Sequence, residues 1–246
     1  MQLPSRDVFT HLLQSGVTHL HHANTVTTSC EFIRKKQLIA RGCMDRLGLN
    51  QTPQASDAND KVQGVYFDIF LDSVDIHNRA SRRNLYGPVL FKLSVERLRA
   101  MDLPPLWVTR SNPINWNDNT TQQDKWFQNF TELQLEFVVG RFNQMIVLRH
   151  IGGVLPLTDC LEDIVLDEPQ MNDAGLDYFA LSTGAILLAR TSSPTPLPFA
   201  FHKRDCAAGC ACITEYQGDR AATLELFVPR RTTPPPPPPA LNPPNN

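Results

Sequence analysis

Apolar positions along this chain come in short bursts, and strands are predicted more often than helices. Thr18 to Ala23 reads as a short strand. Thr28 with Glu31 three residues on forms a capping box for a helix through about Ile39, with Gly42 as its stop. Polar residues from Cys43 to Gln63 predict a long loop, and VYFDIFL (Val65 to Leu71) a buried strand. Further strands are expected at Pro88 to Leu93, Leu106 to Thr109, Met145 to Arg149 and Ile164 to Leu166, with a short helix from Val95 to Ala100 capped by Ser94. Arg110 to Gln123 reads as a second long loop, and weaker strands are expected near Phe179 and Ile186.

The run LQLEFVV, Leu133 to Val139, carries the residue of greatest chemical interest. On a strand, Leu133, Leu135, Phe137 and Val139 share one face, and Gln134 and Glu136 share the other. A carboxylate and a carboxamide would then project together from a rigid support. The element pattern as a whole predicts an α+β fold with a mainly antiparallel, sandwich-like sheet.

The chain has 246 residues, 41% of them hydrophobic, enough for a continuous core. We expect one domain over 1–230 and an exposed tail over 231–246, where six consecutive prolines, Pro234 to Pro239, exclude sheet and helix. A net charge of −2 argues against coating nucleic acid or an anionic membrane by overall charge. The apolar run from Phe179 to Ala189 is too short to span a bilayer, so a cytoplasmic protein with no membrane partner is expected. Six scattered cysteines predict reduced thiols. His202, Cys206, Cys210 and Cys212 offer four soft ligands, but the H-x3-C-x3-C-x-C spacing is not that of paired zinc motifs; a thiol-rich loop without metal is the expectation.

Several segments, taken in order, resemble the DarT-type ADP-ribosyltransferases. Leu20-His21-His22-Ala23-Asn24-Thr25, followed by a helix reaching Gln37-Leu38-Ile39-Ala40, is similar to that family's opening strand and helix. Gln134-Leu135-Glu136-Phe137-Val138-Val139 is similar to its catalytic strand, and Leu161-Glu162-Asp163-Ile164-Val165 to the strand that follows. The likeness spans about residues 18 to 167. His21 stands where the family has tyrosine, and Asn24 where it has threonine.

The resemblance implies an ADP-ribosyltransferase fold, a split β-sandwich with flanking helices, and NAD as co-substrate. Cleaving the nicotinamide–ribose bond leaves an oxocarbenium-like ribosyl cation, which a carboxylate stabilises. Glu136 is expected to do this, with Gln134 placing the acceptor. His22 would anchor a ribose hydroxyl, Tyr66 (or Tyr86) would stack on nicotinamide, and Asn24 joins them at the first strand. The family uses an arginine upstream of the second strand; of Arg41 and Arg46, Arg46 is expected to hold the pyrophosphate.

The implied acceptor is a base of single-stranded nucleic acid, in a toxin or phage-defence enzyme with an antitoxin partner. Trp107, Trp116 and Trp126 would stack on an unpaired base, and Arg79, Arg82 and Arg83 would hold phosphates. Two alternatives are a protein-directed transferase and a non-catalytic module recruited through the proline tail.

Overall fold

Two sheets meet at one backbone bridge, and that meeting point organises the molecule. The computed structural model describes residues 1–173 and 175–229; the expected proline tail lies outside them.

The chain opens with α1 (Ser5–Gln14), which buries Val8, Phe9 and Leu12, and continues into β1 (His19–Asn24). The next helix, α2 (Val26–Lys35), is capped by Thr25, whose hydroxyl accepts from the Thr28 N–H at 3.4 Å. Lys36 adopts a left-handed conformation (φ 57°) that ends it, so Gln37–Ile39 leaves as strand β2. The helix expected through Ile39 therefore stops four residues early. Gly42 is not its stop. It lies within α3 (Arg41–Arg46), where its N–H donates to the Tyr66 carbonyl at 2.8 Å and a Cβ would sit 2.6 Å from the Phe67 ring. Any larger residue there would push the Phe67 ring aside.

The loop expected over 43–63 contains α4 (Asp57–Val62), and the strand expected over 65–71 is reduced to β3 (Ile69–Leu71) behind a turn. Then follow α5 (Ile76–Ala80), β4 (Val89–Ser94), α6 (Val95–Ala100) and β5 (Trp107–Val108), the last three close to expectation. A 3-10 turn (Pro113–Asn115) lies in the Arg110–Gln123 segment, and α7 (Gln122–Lys125) begins at its end.

The run around Glu136 is helix, not strand: α8 spans Phe130–Glu136. Asn129 caps it by accepting from the Glu132 N–H at 2.9 Å, and the Glu132 carboxylate accepts from the Gln128 N–H at 2.8 Å. Leu133 alone is buried; Leu135 is 80% exposed. The alternation of LQLEFVV thus carries no sheet face.

Strands β6 (Ile146–Leu148), β7 (Val154–Pro156) and β8 (Leu161–Leu166) precede the short pair β9 (Asn172–Asp173) and β10 (Leu176–Asp177). The weak strands expected near Phe179 and Ile186 are one helix, α9 (Tyr178–Thr191), capped by Asp177 and burying Tyr178, Ser182, Ile186 and Ala189 at helical spacing. The chain continues through β11 (Ala200–Lys203), α10 (Cys212–Gly218) and α11 (Arg220–Phe227).

The larger sheet has the order β1-β4-β8-β11, antiparallel except for the parallel β8–β11 pair. The smaller, β3-β6-β5, is antiparallel throughout, and β2 pairs with β7. The fold is mixed α and β with several sheets, mostly antiparallel. Helices α9 and α11 pack on α2, and one core cluster runs from Leu3 to Phe227. The last third is thus part of the same core as the first.

Candidate functional site

Strands β1 and β3 are edge strands of their sheets, and they join only at His21–Asp72, where each N–H donates to the other's carbonyl at 2.9 Å. In a continued antiparallel ladder the next bonded pair would be Ala23 with Phe70. Instead the strands diverge, and the Phe70 carbonyl accepts from the His22 ring at Nδ1, 2.9 Å away. A cleft of about 920 Å³, counting space open to solvent, begins at this split.

His22, Asn24, Tyr66 and Tyr86 all line the cleft. A carbonyl can only accept, so Nδ1 of His22 carries the proton and Nε2 presents a lone pair. That Nε2 is buried with no hydrogen-bond partner. Burial pushes the imidazole pKa below its usual range, which keeps the ring neutral at physiological pH. Asn24 is buried at the end of β1, its Oδ1 accepting from the Thr25 N–H at 2.9 Å. Gly87 (φ 143°) packs on this corner: a Cβ there would come within 2.2 Å of the Asn24 carbonyl group. Tyr66 donates its hydroxyl to Asp45 at 2.7 Å, and the Lys61 ammonium sits 4.4 Å from its ring centroid.

Arg41, not Arg46, lines the cleft. Its Nε bonds Asp57, its Nη2 bonds Asp57 and the Thr52 carbonyl at 2.7 and 2.9 Å, and its Nη1 is buried without a hydrogen-bond partner. Arg46 is exposed and stacks over the Phe67 ring at 4.1 Å. The one-turn helix α3 decides this, because Arg41 opens it beside β2 and Arg46 closes it at the surface.

Glu136 and Gln134 do not line the cleft. Both are exposed on α8, and Glu136 is paired with Arg110, whose guanidinium also lies 5.3 Å from the Phe127 ring. The carboxylates that do line the cleft are Asp60, Asp68 and Asp72. Burial pushes the pKa of Asp68 up to about 7, against the pull of Arg149. Asp72 is pushed up to about 7 by burial, with the negative charge of Asp75 adding to it. Asp68 Oδ2 is buried with no hydrogen bond, its ion pair to Arg149 being 3.6 Å long. Partial protonation of these two carboxyls at neutral pH lowers the negative charge that an anionic ligand meets in the cleft.

Three buried polar atoms without hydrogen-bond partners, on His22, Arg41 and Asp68, therefore occur in the lining of one cleft. Such atoms are costly unless a ligand or water completes them. A neutral acceptor, a guanidinium donor and three carboxyls suit a ligand carrying hydroxyls and phosphate. Sequence reasoning missed Asp68 and Asp72 because the first stands within what reads as an ordinary buried strand, Val65 to Leu71, and the second directly after it.

The three tryptophans are not free to stack on a base. They form a buried cluster with Val65 and Val147, with ring centroids of Trp107 and Trp116 at 5.1 and 5.0 Å from that of Trp126. The Arg110–Gln123 segment nonetheless borders the cleft through Asn112, Pro113 and Ile114, and Ile114 is 57% exposed. Arg83 faces Glu215 and Asp219, while the Arg79 guanidinium lies 4.0 Å from the Phe142 ring.

No helix among the described residues is long and apolar enough to cross a membrane. No family model matches the chain, and no curated protein matches it in sequence. Among solved structures, the Thermus sp. 2.9 DarT in complex with ADP-ribosylated ssDNA aligns at 9% identity and a TM-score of 0.48, covering 77% of this chain and 95% of that one. At that distance the cleft's own geometry has to carry the functional reading.

Proposed function

We propose that this protein is an NAD-consuming mono-ADP-ribosyltransferase whose acceptor is a base of single-stranded nucleic acid. The observation that carries the enzyme reading is the pair of unpartnered buried atoms, His22 Nε2 and Arg41 Nη1, in one cleft at the split between two sheets. The acceptor class comes from the sequence resemblance.

In this reading His22 Nε2 accepts a ribose hydroxyl proton, an orienting role that a neutral imidazole fills. Arg41 donates to the pyrophosphate, where a permanent charge and a planar fork are the right chemistry. Tyr66 supplies a ring for nicotinamide, with Tyr86 across the same cleft. As the ribose–nicotinamide bond breaks, nicotinamide leaves with the electron pair and a ribosyl cation remains. The carboxylate that stabilises this cation is Asp72, replacing Glu136 in that role, and it can accept the proton lost by the attacking base nitrogen. The Asn112–Ile114 rim is where an acceptor would approach. An unpaired base carries no flipping cost. A toxin or phage-defence role with an antitoxin partner belongs to this proposal, since transfer to nucleic acid harms its own host.

Incubation of the full chain with labelled NAD, single-stranded DNA and RNA oligonucleotides, and a proteome extract tests it. Label is expected on an oligonucleotide, and His22→Ala is expected to abolish it. Label on protein alone would overturn the nucleic-acid acceptor. No NAD turnover with either acceptor would overturn the enzyme.

A further inference from the structure

We propose a structural zinc site formed by His77, Cys206, Cys210 and Cys212, a set in which the histidine comes from the first half of the chain and not from the neighbouring His202. The four ligand atoms all lie within 4.8 Å of one another. Cys206 Sγ and Cys210 Sγ are 3.5 and 3.4 Å from His77 Nε2, and Cys206 and Cys212 are 3.4 Å apart at sulfur. With Zn–S near 2.3 Å and Zn–N near 2.0–2.1 Å, a tetrahedron has ligand–ligand edges of about 3.5–3.8 Å. The His77–Cys206, His77–Cys210 and Cys206–Cys212 edges already match to within a few tenths of an ångström, the remaining ones do not exceed 4.8 Å, and none of the cysteines is in a disulfide.

The histidine is prepared for a metal. His77 is 1% exposed, and its Nδ1 lies 2.9 Å from Asp167 Oδ2. Asp167 also accepts from Arg204 and, at 2.6 Å, from the Tyr216 hydroxyl. An ionised carboxylate with those partners is acceptor-only, so Nδ1 of His77 holds the proton and Nε2 turns its lone pair toward the three sulfurs. Carboxylate to histidine to metal is the arrangement that fixes a ligand's tautomer and raises its basicity. His202, by contrast, is exposed and sits 3.3 Å from Asp163.

Three thiolates and one imidazole form a closed, soft, four-coordinate set, which selects zinc in a structural role and leaves no open position for a reacting water. Such a site ties two distant segments. Cys206 and Cys210 lie in the turn after β11, Cys212 begins α10, and His77 lies in α5, which follows the cleft residue Asp72. The Ala211 N–H donating to the Ser81 carbonyl at 2.8 Å closes the same junction. The spacing hides the motif, because its fourth ligand is 129 residues upstream of the first cysteine.

The full chain, expressed with zinc in the medium and purified without chelator, should carry about one equivalent of zinc by mass spectrometry. X-ray absorption at the zinc edge should return three sulfur ligands and one nitrogen, a readout that needs no variant. Cobalt in place of zinc should give intense tetrahedral d–d bands with thiolate charge transfer. His202→Ala should keep full metal content, while His77→Ala and Cys210→Ser should lose it. Metal-free protein with freely alkylated thiols, a Cys206–Cys212 disulfide, a four-sulfur shell, or metal lost in His202→Ala but kept in His77→Ala would each overturn the assignment.

Discussion

The molecule contains two buried polar clusters, and they are finished to different degrees. Around Asp167 the hydrogen bonds close on themselves: His77, Arg204 and Tyr216 all meet one carboxylate, and Arg204 also reaches Asp75 and Asn78. Across the cleft, His22, Arg41 and Asp68 keep buried atoms with no hydrogen-bond partner in the chain. A closed network specifies a structure, whereas an open one is completed by something bound. The difference assigns stability to the first cluster and ligand binding to the second.

The contrast can be broken by substitutions that should separate cleanly. Asp167→Ala removes one of the two carboxylates that face the buried Arg204 and leaves the His77 Nδ1–H and the Tyr216 hydroxyl without their acceptor, and should cost about 3–5 kcal/mol in denaturant unfolding; an unchanged midpoint would remove the structural reading of that cluster. Asp72→Asn should lower NAD turnover on the order of 10²–10³-fold, the scale of losing one transition-state electrostatic contact. Its melting temperature should not fall, since a neutral amide is easier to bury than a carboxylate. A stable Asp72→Asn enzyme with wild-type turnover would move the catalytic role elsewhere. Arg41→Lys keeps charge but loses the fork; it should weaken NAD binding on the order of tenfold or more, about 1.5–3 kcal/mol. Equal Kd values by calorimetry would exclude Arg41 from the site.

A pH series sharpens the same comparison. Asp68 and Asp72 titrate near pH 7 when folded and near 4 when unfolded, so burial favours their protonated forms. Their contribution to stability is complete below about pH 4 and is lost as pH rises through about 7. Over that upper range KM for NAD should rise as the cleft gains negative charge, while kcat rises with ionisation of Asp72. Asp68→Asn should flatten the KM profile and leave the kcat profile in place. The smallest effect is expected from Glu136→Gln, which removes a half-exposed ion pair to Arg110. Stability should change by less than about 1 kcal/mol and turnover not at all; loss of activity would return the catalytic carboxylate to α8.

Much of the larger sheet was legible in the sequence, because β4 and β8 carry β-branched and leucine-rich runs and the short β1 runs directly into a helix cap. Helix α8 was not read, although Asn129 and Glu132 spell a capping signal just before it; the alternation of LQLEFVV is stronger to the eye and physically empty, with Leu135 in water. Helix α9 was missed because FALSTGAILLA is apolar on nearly every side, which erases the helical period. His22, Asn24 and Tyr66 line one cleft, and the expectation that they share a site came from the family resemblance and not from any local pattern. The choice of Arg41 over Arg46 needed the short helix α3, and the carboxylates needed the split between sheets. The pairing of His77 with three cysteines is a property of topology that no local window contains.

The parallel strand β11 and the Arg204–Asp75 contact also set a schedule for synthesis. Arg204 follows Asp75 by 129 residues. At roughly 5–20 residues per second, a ribosome leaves Asp75 and His77 without their partners for on the order of ten seconds. Late in that interval, once β8 (Leu161–Leu166) has been made, it presents a bare edge until β11 (Ala200–Lys203) follows. The nascent chain is therefore most exposed to proteases and to edge-to-edge association just before its last segment emerges, and a premature stop after β8 would leave it in that condition permanently.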